Sequence, residues 1–254
     1  ESMRRGFEPR VPRTGISYLP MSTMLERLAT HYLPLSNGAT VTVCPDPADV
    51  GEYLTSVRPE YFPGVPRVWD RIRTKILTAL PEGTSGRSDL DAALALAEVA
   101  RKGEPSHAES LRLKELDARL LAPIRAAIGL GRCKVAVVGA APIPEDLAAF
   151  FLGIGIPLGG SYGLTECTAC VNQFGALEPG CVGSPSPGCE LRLADDGEVF
   201  VRAGSLFVGY YEDPEMTREV VDADGWLRTG GIGRWHPSGQ LQIIDPKEEL
   251  MVSP

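Results

Sequence analysis

Apolar and polar positions along this 254-residue chain switch repeatedly between a period of two and a period near 3.6. Ala39 to Val43 alternates Val with Thr, as a half-buried strand does. Ile16 to Pro20 reads as a short strand ended by its proline, Tyr61-Phe62 as the start of a strand remnant, and Lys134 to Gly139 as a buried strand. Ile156-Pro157-Leu158 reads as a strand that leads into a glycine-rich turn. Helical spacing fills the gaps: Leu25 to Leu33, terminated by Pro34, then Asp49 to Val57, then Val68 to Leu80 with Val68, Ile72, Ile76 and Leu77 on one face. After a polar turn from Pro81 to Ser88 come two Ala/Leu-rich helices, Asp89 to Lys102 and His107 to Leu130, parted by Gly103-Glu104-Pro105; Pro144 opens a further helix from Glu145 to Phe151. Strands alternating with helices over residues 16 to 174 predict an α/β fold, a layered and largely parallel sheet flanked by helices.

Beyond Glu178-Pro179-Gly180 the helical period stops. Short strands are expected at Glu190 to Leu193, Glu198 to Ala203, Arg234-Trp235 and Gln240 to Asp245, with turns at Asp195-Asp196-Gly197 and Pro237-Ser238-Gly239. That spacing predicts a small antiparallel β-barrel-like subdomain. The expected division is therefore 1–174 for the α/β part and 175–254 for the small β part.

Composition narrows the class. A hydrophobic content of 43% suits a sizeable core, and a net charge of −8 argues against a nucleic-acid partner, which needs clustered Lys and Arg. The few arginines of the basic, irregular start (residues 1–14) do not change that. No apolar run approaches the roughly 20 residues of a membrane span, and no signal-peptide apolar region is present, so a cytoplasmic location is expected and peripheral membrane contact is left open. Cys167-x-x-Cys170 followed by Cys181 and Cys189 raises zinc, but the second pair is no tight knuckle, and reduced buried thiols are the preferred reading.

The candidate chemistry is concentrated in Ser161-Tyr162-Gly163-Leu164-Thr165-Glu166. Tyr162 offers a stacking face for a purine, Gly163 close backbone approach to a phosphate, Thr165 a hydroxyl for phosphate oxygen, and Glu166 the hard oxygen Mg²⁺ takes. The same stretch fits a second class: Gly159-Gly160-Ser161-Tyr162-Gly163 has the nucleophile-elbow pattern, with Asp195 or Asp213 and then His236 in the chain order of an α/β-hydrolase. Gly153-x-Gly155 follows a helix rather than a strand and is no dinucleotide fingerprint.

Taken in order, Leu19 to Arg27, Gly64 to Trp69, Gly139-Ala140-Ala141-Pro142, Tyr162 to Glu166, Val208 to Tyr211 and Thr229-Gly230-Gly231 resemble the adenylate-forming superfamily, in its long-chain fatty-acid–CoA ligase branch. The resemblance implies that a fatty acid attacks the α-phosphate of ATP to give an acyl-adenylate, from which the CoA thiol displaces AMP. It implies Thr165 and Glu166 as catalytic residues, Glu166 as the Mg²⁺ ligand, and a nucleotide site of Gly139, Ala140, Ala141, Pro142, Ser161, Tyr162, Gly163, Leu164, Thr165 and Gly231. Met21, Thr23, Val65 and Gly160 would face the acyl chain, and Asp245 would be the hinge. The Asp89 to Leu130 helices resemble the helix-rich insertion of the long-chain branch.

Departures from the family pattern set further expectations. Residues 1–15 hold no Gly/Ser/Thr-rich phosphate loop with its lysine, and the chain ends at Pro254 without the mobile C-terminal domain. Gly231 stands where the family has a ribose-binding Asp, Thr23 where His is usual, and Pro246 where an Arg follows the hinge Asp. An isolated chain of reduced activity is expected, with a complementary chain supplying the phosphate loop or C-terminal domain, or a non-catalytic acyl- or nucleotide-binding remnant, as further readings.

Overall fold

The computed structural model of the protein describes residues 12–175 and 177–246. Most of the basic start and the chain after Pro246 lie outside the described residues. Five strands run parallel in the first sheet: β1 (Thr14–Ser17), β2 (Thr40–Val43), β3 (Tyr61–Gly64), β4 (Val135–Val138) and β5 (Leu158–Leu164), in the order β2-β1-β3-β4-β5. Two antiparallel strands complete that sheet beyond β5, β6 (Thr168–Gln173) and β7 (Ser184–Pro185). The expected α/β fold with a largely parallel sheet is therefore present. β3 and β4 are buried at every position, as strands covered on both faces must be, which is why VAVV shows no alternation.

Helices connect and cover the parallel strands: α1 (residues 24–37), α2 (Val50–Val57), α3 (Pro66–Ala79), α4 (Ser85–Lys102), α5 (residues 107–127) and α6 (Glu145–Gly153). Phe62 of β3 and Phe151 of α6 meet the fully buried Trp69 of α3 edge-to-face, at 5.3 and 4.8 Å between ring centroids. Such aromatic pairs add to area burial at the centre of the main core. On the opposite face α1 lays Ala29 and Leu33 over Tyr61, Val135 and Val137.

Several helices depart from the pattern, with identifiable causes. Pro34 does not terminate α1, which runs through to Asn37. Its ring would collide with the carbonyl four residues back, and the chain avoids this by widening into a π-turn over Arg27–Tyr32, where Leu33 N–H donates to Leu28 O. Gly38, at φ 63°, ends the helix. The same device precedes Pro123: α5 passes from His107–Leu116 through a π-turn at Asp117–Leu121 into Ala122–Ala127. The polar turn expected up to Ser88 is shorter, because Thr84 accepts the Arg87 N–H at 3.2 Å and caps α4. Pro63 does not stop β3 either. At its level β1 no longer pairs with β3, and Tyr18 Oη donates to the Pro63 carbonyl at 2.9 Å.

The second sheet is antiparallel, in the order β11-β10-β9-β8: β8 (Cys189–Leu193), β9 (Glu198–Ala203), β10 (Leu227–Trp235) and β11 (Leu241–Pro246). It has its own core of Val199, Val201, Leu227 and Leu241, shared with Cys167, Cys170 and Val171 of the first sheet's margin. The helical period does return once, in α7 (Pro214–Val220), capped by Asp213. Thr229-Gly230-Gly231 lies within the long strand β10, at a register shift against β9, rather than in a turn.

Candidate functional site

The central motif is a strand before it is a turn. Ser161 to Leu164 complete β5, Thr165 to Cys167 turn, and β6 returns antiparallel beside β5. Strand alternation then sends successive side chains to opposite faces. A β-carbon at Gly163 would coincide with the Thr168 carbonyl oxygen, and the register shifts between Tyr162 and Gly163. Glycine is therefore required there by the tight β5–β6 bulge itself.

One cleft of about 460 Å³ gathers three segments distant in sequence. Ser22, Thr23, Met24, Leu25 and Leu28 come from the start of α1, Ala140 from the loop after β4, and Ser161 with Gly163 to Glu166 from the motif; Thr168 and Ala169 close it. Thr165 is exposed and Glu166 half-buried, so hydroxyl and carboxylate both face solvent-accessible space. Ala140 at φ 68° and Thr168 at φ 58° hold the left-handed conformation at this cleft. Non-glycine residues reach that region at a cost, and such strain clusters at functional loops.

Tyr210 Oη donates to Glu166 Oε1 at 2.8 Å, and Phe207 N–H donates to the Glu166 carbonyl at 2.7 Å. The bond to the carboxylate is the main cause that raises the Tyr210 phenol above its ordinary pKa. The pattern of Val208 to Tyr211 in the sequence carries no sign of this contact, which spans 44 positions. Leu25 and Leu28, three apart on α1, could have been read as one helical face.

Other expected site residues lie elsewhere. Tyr162 sends its ring to the second sheet's core and donates from Oη to Thr229 Oγ1 at 2.9 Å. Burial pushes its phenol up to about 12, against the lowering effect of that hydrogen bond. A β-carbon at Gly231 would stand 2.5 Å from Tyr162 Oη, so the two residues share one small space beside β10. Gly139 follows β4 beside β5, where a β-carbon would come within a tight 3.1 Å of the Ser161 carbonyl oxygen; Ala141 and Pro142 are exposed in the loop that follows.

Of the expected acyl-facing residues, Thr23 is at the cleft and also caps α1, accepting the Glu26 N–H at 3.4 Å. Met21 is exposed, and its carbonyl accepts from Arg27 Nε at 2.6 Å. Val65 packs against the main core at the start of α3. Gly160 abuts Val182, whose carbonyl oxygen a β-carbon would meet at 2.5 Å. Asp245 pairs through its backbone with Ile232, and Pro246 with Gly231.

The hydrolase reading fails on geometry. A nucleophile elbow needs a sharp strand-to-helix turn, whereas Ser161 sits within β5 and the chain returns as β6. His236 is engaged with Ser238 Oγ at 2.8 Å in the β10–β11 turn, and Asp213 caps α7. The six cysteines are free thiols, Cys167 and Cys170 standing 3.6 Å apart at Sγ, and no group of three or more His, Cys, Asp or Glu that could hold a metal occurs among the described residues. A single carboxylate with neighbouring hydroxyls nevertheless suits Mg²⁺, which takes one or two carboxylates and completes its shell with water and substrate phosphate. Among the described residues no helix is long and apolar enough to cross a membrane.

Comparison with known proteins agrees with this architecture. The family described as AMP-binding enzyme matches residues 3–211. The long-chain-fatty-acid–CoA ligase FadD15 of Mycobacterium bovis is 32% identical over 257 residues, covering 98% of this chain and 42% of the relative. Long-chain-fatty-acid–CoA ligase 5 of Rattus norvegicus is 32% identical over 262 residues, covering 96% of this chain and 37% of the relative. The chain thus spans well under half the length of these relatives. Among solved structures, the Bacillus subtilis o-succinylbenzoate coenzyme A synthetase in complex with ATP and magnesium ion shares the fold, with a TM-score of 0.64 at 18% identity over 99% of this chain and 45% of that one.

Proposed function

We propose, from the premise that the chain belongs to the AMP-binding enzyme family, that it forms the acyl- and nucleotide-facing part of a cytoplasmic fatty-acid–CoA ligase using ATP, Mg²⁺ and CoA. The observation that carries the reading is the cleft itself, in which the start of α1, the loop at Ala140 and the Thr165-Glu166 turn converge. The names of the relatives support the fatty-acid substrate, and the ATP and magnesium of the bacterial synthetase support the nucleotide and the ion.

In this reading Met24, Leu25 and Leu28 line the acyl side. Thr165 donates from its hydroxyl to phosphate oxygen, and Glu166 holds the cation. A bound Mg²⁺ supplies neutralisation of charge on phosphate oxygens. Thr165 and Glu166 contribute by being placed, before substrate arrives, where that charge develops. Ala140 of the Gly139 to Pro142 loop and the strand from Ser161 to Leu164 form the nucleotide wall, while Gly231, set against Tyr162 beside β10, offers the ribose no carboxylate.

Calorimetry with a non-hydrolysable acyl-adenylate mimic tests this. Binding is expected, and Thr165→Ala is expected to weaken it about tenfold, the size of one charge-assisted hydrogen bond. Equal affinity for the two proteins, both folded by circular dichroism, would remove the motif from the site.

A further inference from the structure

The grip on Glu166 comes from the connection between β9 and α7, which belongs to the second sheet. Phe207 N–H takes the Glu166 carbonyl at 2.7 Å, and Tyr210 Oη takes one carboxylate oxygen at 2.8 Å. These two contacts act on different freedoms: the first holds the peptide of the turn, the second the side-chain torsions. Tyr210 is itself held. Its N–H donates to Thr217 Oγ1 at 2.9 Å, that hydroxyl donates to the Asp213 carbonyl at 2.8 Å, and its ring stands edge-on to Phe207 at 4.9 Å.

The geometry points to Tyr210 as the positioning residue of the cation-binding carboxylate: it holds Glu166 Oε1 through its hydroxyl, so that Oε2 is presented to the ion in a fixed orientation. This rests on the reading of Glu166 as the Mg²⁺ ligand. The physical reason is entropic and electronic together. A free glutamate has three torsions to order when it binds an ion, and Tyr210 orders them beforehand. Partners of this kind, one shell behind a metal ligand, change metal affinity about tenfold to a hundredfold when removed. The role also explains why a connection of the second sheet reaches the cleft at all, although Tyr210 does not line it.

The test follows Mn²⁺ bound to the whole chain in the presence of saturating ATP, by electron paramagnetic resonance, and AMP affinity without metal, by calorimetry. Tyr210→Phe keeps the ring on Phe207 and removes only the hydroxyl. It is expected to weaken Mn²⁺ binding about tenfold and to leave AMP affinity unchanged within about twofold. Glu166→Gln is expected to weaken Mn²⁺ binding at least as much. Unchanged Mn²⁺ affinity in Tyr210→Phe alongside a loss in Glu166→Gln would overturn the positioning role alone. Unchanged affinity in Glu166→Gln, or absence of Mn²⁺ binding by the unaltered chain, would overturn the metal reading and this inference with it. Equal losses of Mn²⁺ and AMP binding in Tyr210→Phe would mark a structural defect and also overturn it. Should Tyr210→Phe fail to fold, Thr217→Val loosens Tyr210 from behind and is expected to weaken Mn²⁺ binding by about threefold, again sparing AMP; no change there would count against the inference.

Discussion

Gly231 and Tyr162 are the pair in which one residue's smallness serves the other's position. The Tyr162 hydroxyl stands where a side chain at 231 would begin, and it is anchored by Thr229, which in turn donates to the Val199 carbonyl at 2.8 Å. Gly231→Ala is therefore expected to push the phenol off Thr229 and to destabilise the chain by about 1 kcal/mol, the net worth of a hydrogen bond. In a Tyr162→Phe background the same substitution should cost distinctly less, because no hydroxyl remains to be displaced. Urea unfolding of the four proteins measures the coupling, and strict additivity would refute the shared space. Gly231→Asp carries the same burden: a carboxylate can enter beside β10 only if Tyr162 yields. The sequence shows both residues plainly but gives no sign that they touch, since that depends on two sheets meeting.

At the scale of elements, the helix expected from His107 begins where the pattern places it, and the effect of Pro34 was the least legible signal. The start at His107 is held by a capping box that only the structure brought out: Ser106 Oγ accepts the Glu109 N–H at 3.2 Å while Glu109 Oε2 accepts the Ser106 N–H at 2.8 Å. Ser106→Ala should cost about 1 kcal/mol by thermal or urea unfolding, and Ser106→Asp, which can still cap, much less. Loss of equal size in both would show that the cap does not hold α5. Pro34, by contrast, looks like a stop in the sequence, whereas the helix from His107 is expected to run through Pro123, as it does. Both prolines are absorbed by a preceding π-turn, which keeps the apolar contacts beside them: Leu33 on Tyr61 and Val135, and Leu121 with Ile128 in the main core. Propensity loses there to packing.

Across the whole molecule the net charge of −8 conceals a set of carboxylates held by arginine and lysine. Arg101 joins Glu98 of α4 to Glu178 of the connection between β6 and β7, at 2.8 and 2.5 Å, and Lys102 reaches Glu98 at 2.8 Å. Hydrogen bonds from Arg101 and Lys102 hold the Glu98 carboxyl at about 2, against an ordinary 4.5. A depressed carboxylate stabilises the fold fully above its unfolded value and loses that contribution as pH falls through its folded value. The stability gap between the unaltered chain and Glu98→Gln should therefore be complete above about pH 4.5 and close as pH approaches about 2. A gap independent of pH over that range would show that the pairing contributes nothing. The sequence alone determined the α/β alternation, the antiparallel second sheet and the motif that supplies Thr165 and Glu166, because periodicity and residue chemistry are local properties of the chain. Only the tertiary structure decided that Tyr162 turns away from the cleft its motif lines, that Gly160 and Gly163 serve strand packing, and that Tyr210 reaches Glu166. Those outcomes depend on strand alternation, on a one-residue register shift between β5 and β6, and on the approach of two sheets, none of which a linear pattern contains.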